Sequence, residues 1–324
     1  AGFSKERILF TANKISDEEM HEVQKLGVLF NIGSLSRLEK YALSYPGSNV
    51  CIRFNPDVVA GEHEFIRTGG EASKFGILLE KVDTVVSIAK EHKLKIIGIH
   101  EHTGSGIPET VQMQKGMENI LGIISKERFP YLKFVDFGGG FKVPYHIEEE
   151  EPDYSDFGNQ VTELFTKFCK DFGKELDMYF EPGKLLVAES GKFLVTATTL
   201  KQNRLKSIVG VNSGFAQFIR PMFYQAYHHI RNLSNLKGII KNYDVVGNIC
   251  ESGDCFATNR ELPEIHEGDL LVIETAGAYC YSMGSVYNLR PMPAEVLIMN
   301  GKMLLVRKGL SNKELIEKIV NESE

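Results

Sequence analysis

Three consecutive glycines, Gly138, Gly139 and Gly140, follow the apolar run Phe134–Phe137 and form the stretch around which the chain is organised. Glycine leaves backbone N–H groups uncovered and tolerates positive φ, so such a turn can wrap closely around an anion. A phosphate group is the usual occupant. A flexible turn after a strand explains three isolated glycines equally well. Polar residues at other strand ends must therefore decide between the two interpretations.

A second polar group, His100, His102 and Ser105, follows the apolar run Ile96–Ile99. Alternate residues of a strand share a face, so two histidines at this spacing could chelate a metal ion. The sequence offers no evident third ligand, and we expect no metal site. The alternative is that one imidazole packs against a ring while Ser105 and Gly104 bind phosphate.

A third strand end carries Glu181, followed by Pro182, Gly183 and Lys184, and so combines a carboxylate with a cation. Taken alone, this pattern is a common turn. The chain thus combines two turns that could bind phosphate with a carboxylate at a strand end and an imidazole. This combination indicates a phosphorylated aromatic cofactor. An acid opposite a pyridine nitrogen keeps that nitrogen protonated, which lets the ring accept electrons.

Two stretches in the second half of the chain also carry chemistry. Cys250 and Glu251 lie beside Ser252 and Asp254, and these polar neighbours argue against a buried structural cysteine. Residues 219–228 concentrate cationic, phenolic and imidazole side chains in ten positions. Both stretches are therefore candidate functional segments.

The elements that position these residues are strands and helices in alternation up to about residue 188. Nearly continuous apolar strands separated by helices predict a parallel sheet covered by helices. We count six such strands, whereas a closed barrel has eight, so the pattern fits an open sheet or a barrel that begins before residue 1. Ser16 and Glu19 predict a capping box at one helix start, and Ser34 is expected to cap the next helix.

From about residue 189 the pattern changes to short strands separated by turns, with little helix. This change predicts a second, all-β domain and divides the chain into domains 1–188 and 189–324.

The composition argues against some classes of protein. The 324 residues carry a net charge of -6, which argues mildly against a nucleic-acid surface. No apolar run is long enough for a membrane span. Five cysteines without paired spacing suit a reducing cytoplasm.

Taken together, these segments resemble the fold-type III pyridoxal-phosphate decarboxylases, and within that family the branch that acts on diaminopimelate. The resemblance covers nearly the whole chain, and the Cys-Glu-Ser and Arg-Pro-x-x-Tyr segments are its most specific parts. It implies an α/β fold, an alanine-racemase-like (β/α)8 barrel whose N-terminal strands are missing from this chain, plus a C-terminal all-β domain with substrate-binding and partner-site residues. The matching segments are Asn13-Lys14-x-Ser16, Ser73-Lys74-Phe75-Gly76, His100-x-His102-x-Gly104-Ser105, Gly138-Gly139-Gly140-Phe141, Glu181-Pro182-Gly183, Arg220-Pro221-x-x-Tyr224-x-Ala226-Tyr227-His228, Cys250-Glu251-Ser252-x-Asp254, Gly277-Ala278-Tyr279 and Tyr287-Asn288.

The resemblance implies roles for individual residues. The cofactor would be pyridoxal 5'-phosphate, with His102 stacked on its ring and Glu181 paired with its pyridine nitrogen. Cys250 would reach in from a partner subunit and return a proton after CO2 leaves, which implies a homodimer with shared active sites. Further cofactor contacts are expected from Ser105, Gly138, Gly139, Gly140, Lys184 and Tyr279. The distal end of the substrate would bind to Arg220, Tyr224, Glu251 and Tyr279.

The implied activity is decarboxylation of meso-2,6-diaminopimelate to L-lysine and CO2, the last step of lysine biosynthesis, in the cytoplasm and without a nucleic-acid or membrane partner. One alternative is decarboxylation of ornithine or arginine, and another is a catalytically silent homologue that serves as a binding partner. The sequence departs from the family at Lys184, where an arginine is usual, and at Thr103, where an aliphatic residue is usual. The family's Schiff-base lysine lies in a YAxKAN-like segment that this sequence lacks, so we expect that lysine before residue 1.

Overall fold

The computed structural model describes residues 2–61, 68–70 and 73–320. The chain divides into two compact units. The first comprises residues 1–142 and 151–183, and the second comprises residues 143–150 and 184–324.

The first unit is built on a sheet of six parallel strands in sequential order. Each strand pairs in parallel with the next one along the chain. This order is that of a β/α barrel, because a doubly wound sheet reverses its strand order at a switch point. The strands are β1 (Leu9–Thr11), β2 (Leu29–Ile32), β3 (Asn49–Arg53), β4 (Lys95–His100), β5 (Phe134–Asp136) and β6 (Asp177–Tyr179).

Helices follow the strands and bury one apolar face against them. The capping box of Ser16 and Glu19 is confirmed at the start of the first helix, which ends at Gly27 with a φ of +68°. Ser34 is the N-cap residue of the second helix, as predicted, but its side chain makes no capping hydrogen bond. The helices are α1 (Asp17–Leu26), α2 (Leu35–Ser44), α3 (Val82–Glu91), α4 (Thr110–Ile123) and α5 (Tyr154–Phe172). A short helix, α6 (Gly183–Val187), follows at the boundary between the units.

The second unit contains a sheet of six strands in the order β11-β10-β8-β7-β12-β9 and a two-stranded sheet, β13-β14. The pairs are antiparallel except for β8 with β10. Strand β11 was not predicted, because Asn259, Arg260 and Glu261 interrupt its apolar pattern. The strands are β7 (Phe193–Gln202), β8 (Ser207–Val211), β9 (Ile230–Asn232), β10 (Ile240–Val246), β11 (Cys255–Pro263), β12 (Leu270–Ile273), β13 (Glu295–Met299) and β14 (Lys302–Arg307), with helices α7 (Arg220–Phe223) and α8 (Asn312–Val320).

The second unit has its own core, in which Val209, Val245 and Leu271 are fully buried. A separate small cluster joins Tyr145 to Ala188 and Ala278. This cluster anchors segment 143–150 within the second unit. Among the described residues, no helix combines the length and hydropathy needed to cross a bilayer.

Candidate active site

Three neighbouring strands of the first unit bring the predicted cofactor residues to one edge of the sheet. His100, at the end of β4, is in register with Asp136 of β5, and Asp136 is in register with Tyr179 of β6. His102, the glycine turn and Glu181 therefore follow three adjacent strand ends. This is the edge at which βα barrels collect their functional residues.

The glycine turn lies directly against the backbone of its neighbours. A Cβ atom on Gly139 would lie 2.3 Å from the carbonyl oxygen of Glu181, and one on Gly140 would lie 2.4 Å from that of Gly104. Gly138 has a φ of +65°, a conformation that side chains other than glycine rarely adopt. The close approach of three chain segments therefore requires these residues to be glycine.

Two of the three glycine N–H groups are engaged within the protein. The Gly138 N–H donates to Oδ1 of Asp136 at 2.9 Å, and the Gly139 N–H donates to Nδ1 of His102 at 3.1 Å. The hydrogen bonds found among the described residues include none donated by the Gly140 N–H or the Ser105 hydroxyl. We therefore expect Gly140 and Ser105 to contact a phosphate, with Gly138 and Gly139 shaping the turn.

The hydrogen bond from Gly139 also determines the protonation of His102. Because Nδ1 accepts this bond, the neutral ring carries its proton on Nε2. Burial, with additional effects from the charges of Arg53 and His100, lowers the pKa of His102 to about 4. The ring is thus an uncharged imidazole at neutral pH, which suits a flat contact with an aromatic cofactor.

His100, Asp136 and Glu181 form a cluster in which one side-chain nitrogen or oxygen atom from each residue lies within 4.8 Å of the other two. His100 is 1% exposed, and its Nε2 lies 3.6 Å from Oε2 of Glu181. The imidazole of His100 lowers the pKa of Glu181, whereas burial raises the pKa of Asp136. The pKa of Glu181 is thus lowered, so this carboxylate retains its negative charge, as pairing with a protonated pyridine nitrogen would require.

This cluster differs from the pair of histidines that the spacing suggested. His102 is absent from it, and Nδ1 of His102 instead accepts the Gly139 hydrogen bond. The cluster instead draws its members from the ends of three strands, and sequence spacing alone does not reveal such a set. An imidazole and two carboxylates are groups that also ligate zinc, but Glu181 is the residue expected to pair with the cofactor.

Two buried titratable residues near this site, Glu101 and Arg53, were missed by the sequence reasoning. Glu101 is 1% exposed, and its Oε2 accepts a hydrogen bond from Oγ1 of Thr103 at 2.9 Å. Burial raises the pKa of Glu101 to about 8, against the opposing effects of Thr103 and Arg53. The carboxyl group is consequently protonated at neutral pH, and Thr103, which departs from the family pattern, is its partner.

Arg53 ends β3 and is also buried, with its guanidinium carbon 5.0 Å from the centre of the Phe75 ring. The negative charges of Glu101 and Glu181 oppose the lowering of its pKa by burial. A single arginine in the apolar run Val50–Phe54 was the sequence signal that could have identified it.

In the second unit, Arg220 is a buried cation at the start of α7. Its guanidinium carbon lies 5.0 Å from the ring centre of Tyr145 and 5.9 Å from that of Tyr224. Its Nε donates to Nε2 of His228 at 3.4 Å. Among the described residues no carboxylate forms an ion pair with Arg220. The predicted pair of Arg220 and Tyr224 is thus brought together around an unneutralised guanidinium.

The Cys-Glu-Ser loop is exposed and is held by the segment that follows β12. The hydroxyl of Tyr287 donates to Oε1 of Glu251 at 2.7 Å, and Nδ2 of Asn288 donates to Sγ of Cys250 at 3.5 Å. The Tyr287 ring stacks on Phe215 with 5.2 Å between ring centres. These contacts explain why Tyr287 and Asn288 accompany the Cys-Glu-Ser pattern.

The two remaining predicted residues lie elsewhere in the second unit. Lys184 is buried, and its Nζ lies 5.8 Å from the ring centre of Tyr145. Tyr279 has a φ of +59° and a half-exposed side chain. Neighbouring Gly277 packs so closely that a Cβ there would lie 1.8 Å from the carbonyl oxygen of Val187. Tyr145, which contacts both Lys184 and Arg220, was not identified from the sequence.

Comparison with known proteins relates the first unit to a defined family. Residues 1–188 match the family described as "Pyridoxal-dependent decarboxylase, pyridoxal binding domain". Among curated proteins, a diaminopimelate decarboxylase of Methanothermobacter thermautotrophicus is 39% identical over 322 residues, which are 98% of this chain and 75% of that protein. The diaminopimelate decarboxylase of Escherichia coli K12 is 32% identical over 324 residues, covering 95% of this chain and 76% of that protein.

Solved structures show the same similarity. A crystal structure of a diaminopimelate decarboxylase superposes with a TM-score of 0.90 at 32% identity, covering 97% of this chain and 77% of that one. The Helicobacter pylori diaminopimelate decarboxylase, crystallised with L-lysine, superposes with a TM-score of 0.89 at 31% identity, covering 100% of this chain and 81% of that one.

Proposed function

The chain belongs to the diaminopimelate decarboxylases among the pyridoxal-dependent decarboxylases, and on that premise we propose that its residues bind pyridoxal 5'-phosphate and decarboxylate meso-2,6-diaminopimelate to L-lysine and CO2. The reaction is that of a carboxy-lyase. We place it at the last step of lysine biosynthesis, as the sequence resemblance implies.

The observation that carries the proposal is the buried guanidinium of Arg220. A buried cation without a carboxylate partner is costly unless a ligand neutralises it. Diaminopimelate has an amino acid group at each end, so one carboxylate remains when the other leaves as CO2. Ornithine and arginine have a single carboxylate, which decarboxylation removes. The environment of Arg220 therefore favours diaminopimelate over these substrates.

The catalytically silent alternative is not favoured. Curated relatives between 31% and 39% identical over nearly the whole chain are named as decarboxylases. A silent protein would have no need to keep groups such as the Cys-Glu-Ser loop. In this chain the loop is present and is held by hydrogen bonds.

The residues at the first site fit the cofactor. When bound, pyridoxal phosphate supplies a pyridine ring that accepts the electrons of the breaking C–C bond. Glu181, kept charged by His100, would accept a hydrogen bond from the protonated pyridine nitrogen. His102 would present its neutral ring to the face of the cofactor, and Ser105 and Gly140 would donate to its phosphate. We assign Lys184 and Tyr279 to the cofactor as well, on the resemblance alone.

In the second unit, Arg220, Tyr224 and Glu251 would hold the end of the substrate that does not react, with Tyr279. We propose that Cys250 holds a proton on Sγ and delivers it to the carbon from which CO2 has left, after which solvent reprotonates the sulfur. Its exposed position and its hydrogen bond from Asn288 support access from another subunit. We therefore propose a homodimer with shared active sites, in which residues 1–188 bind the cofactor and residues 189–324 supply substrate and partner-site residues.

We further propose a cytoplasmic location, without nucleic-acid or membrane partners. All five cysteines are free, which supports a reducing compartment.

The test is release of CO2 from meso-diaminopimelate by the protein expressed from its complete reading frame and supplied with pyridoxal phosphate. We expect Arg220→Ala to lower kcat/KM for diaminopimelate by roughly 100-fold or more, because a desolvated charge pair is lost. Arg204→Ala, which removes an exposed arginine, is the matched control and should retain full activity. Absence of CO2 release, or a preference for ornithine or arginine, would refute the proposal.

A further inference from the structure

His228 lies at the end of the Arg-Pro-x-x-Tyr segment and has no role in the proposed function. Its side chain is fully buried, and the residue lies two positions before the start of β9. The ring packs edge-on against Phe218, with 4.7 Å between ring centres, and against Tyr145, with 5.0 Å. Nη1 of Arg260 donates to its backbone carbonyl at 2.7 Å. Both the ring and the backbone of His228 are therefore held in place.

The two ring nitrogens of His228 have different partners. Nδ1 lies 2.9 Å from the carbonyl oxygen of Glu274, and Nε2 lies 3.4 Å from Nε of Arg220. A carbonyl oxygen can only accept, so Nδ1 must carry a proton. The Nε–H of arginine can only donate, so Nε2 must offer its lone pair. Both hydrogen bonds exist together only when His228 is neutral and protonated on Nδ1.

The surroundings keep the ring in that state. Burial above all, together with the charges of Arg220 and Arg260, lowers the pKa of His228 to about 4 against the raising effect of the hydrogen bond to the Glu274 carbonyl. The carboxylate of Glu274 is engaged with Lys192 and Arg231, at 3.4 Å in each case. The carbonyl that fixes the tautomer therefore belongs to a residue that is itself anchored.

This arrangement determines which part of Arg220 is available to a ligand. His228 occupies Nε, and the rings of Tyr145 and Tyr224 lie near the guanidinium. Among the described residues no hydrogen bond is found for the two terminal amino groups, which form a fork that matches the two oxygens of a carboxylate. An arginine without its Nε partner would lose this orientation, because its long side chain can adopt many rotamers.

We propose that His228 is a positioning residue that holds the guanidinium of Arg220 through Nε, so that the site selects substrates by the carboxylate they keep. The inference rests on the proposed function, since it assigns the carboxylate of the unreactive substrate end to Arg220. His228 acts through Arg220 and does not touch the substrate. It resembles the outer hydrogen-bond partners that orient histidine ligands in metal sites.

The experiment compares two ligands of the complete, cofactor-loaded protein. L-lysine keeps the carboxylate that Arg220 would bind, whereas cadaverine, the diamine with the same carbon chain, lacks it. Dissociation constants for both are measured by titration with His228→Phe, which keeps a ring but removes both hydrogen bonds. We expect L-lysine to bind roughly 10- to 100-fold more weakly, because hydrogen bonds to a charged group are lost. Cadaverine binding should change by less than about twofold.

Two further variants separate positioning from packing. His228→Gln has an amide oxygen long enough to reach Arg220, and it should restore much of the affinity for L-lysine. His228→Asn can still donate to Glu274 but does not reach Arg220, and it should behave like His228→Phe. The matched control is His229→Phe, at the next position, which should leave both affinities unchanged.

The possible outcomes are distinct. Equal weakening of both ligands in His228→Phe, or equal affinities in the Gln and Asn variants, would overturn the positioning role. Failure of the wild-type protein to prefer L-lysine to cadaverine would instead refute the assignment of Arg220 in the proposed function, and the inference with it. Thermal unfolding of each variant is recorded. If His228→Phe does not fold, the comparison rests on His228→Gln and His228→Asn.

Discussion

Glu101 and His102 are adjacent in the chain, and folding makes both of them neutral. Burial raises the pKa of Glu101 to about 8 and lowers that of His102 to about 4, because a low-dielectric environment disfavours the charged form of either group. Arg53 is the neighbouring cation that affects both residues, stabilising the charged form of Glu101 and destabilising that of His102. The edge of the sheet thus combines these two uncharged groups with the cation of Arg53 and the carboxylate of Glu181, whose pKa is lowered.

Glu101 therefore makes stability depend on pH. Its carboxyl group has an ordinary pKa of 4.5 when unfolded and about 8 when folded, so between these values the unfolded state releases a proton that the folded state keeps. The contribution of Glu101 to the free energy of unfolding therefore falls as pH rises through this range. Asp136 and Glu181 contribute to the raised pKa by like-charge repulsion.

We predict that Glu101→Gln reduces this loss of stability. The amide is uncharged at every pH, and its oxygen can accept the Thr103 hydroxyl. The difference in free energy of unfolding between about pH 5 and about pH 8, measured by urea titration, should shrink by a few kcal/mol. Glu163→Gln, an exposed position on α5, is the control and should retain the wild-type profile. An unchanged profile in Glu101→Gln would show that the carboxyl is ionised in the folded state.

Among the elements, the turn after β5 is closely packed against backbone. The turn lies between Glu101, which follows β4, and Glu181, which follows β6, and its backbone approaches both residues. The same turn supplies the N–H that fixes the tautomer of His102. A change in its path would therefore affect the two groups expected to contact the cofactor ring.

We predict that Gly139→Ala weakens cofactor binding. The new Cβ would lie 2.3 Å from the carbonyl oxygen of Glu181, and because that atom is backbone, the turn must move. The affinity for pyridoxal phosphate, followed by absorbance of the bound cofactor, should fall by at least about tenfold, with a loss of roughly 1–3 kcal/mol in stability.

Gly122→Ala is the matched control for this change. Gly122 lies on α4, and a Cβ there would meet no atom within 4 Å. Because alanine is a better helix former, this variant should be more stable by up to about 1 kcal/mol and should bind cofactor normally. Normal cofactor affinity in Gly139→Ala would contradict the role given to the turn.

For the whole molecule, the expected site residues are distributed over both compact units. His102, Ser105, the glycine turn and Glu181 belong to the first unit, whereas Arg220, Cys250 and Tyr279 belong to the second. The proposed function therefore depends on residues of both units. The proposed homodimer adds a further requirement, because Cys250 would act in the site of its partner.

We predict that two inactive variants restore activity when their subunits mix. Cys250→Ser and Glu181→Ala each damage every site in their own homodimers. In a mixed dimer, one site combines an intact Glu181 with an intact Cys250, so an equal mixture exchanged to equilibrium should recover about 25% of wild-type activity. Each variant refolded alone is the control. Recovery of no activity, from subunits shown to exchange, would place Cys250 in the site of its own chain.

The sequence alone was sufficient to predict structure where the interacting groups are close along the chain. The capping box at α1 could be predicted because Ser16 and Glu19 are three positions apart and interact within one helical turn. The alternation of strands with helices predicted the parallel sheet, since each strand's apolar run is local. The specific segments of the second half identified the family because residue types and short spacings carry that information.

Tertiary structure alone decided which distant residues meet and what charge each carries. The cluster of His100, Asp136 and Glu181 exists because parallel strands in register end at the same edge of the sheet. The tautomer of His228 depends on a carbonyl at the end of another strand. Burial and the distances between groups distant in sequence set pKa values and hydrogen-bond partners, and these quantities are defined only once the chain has folded.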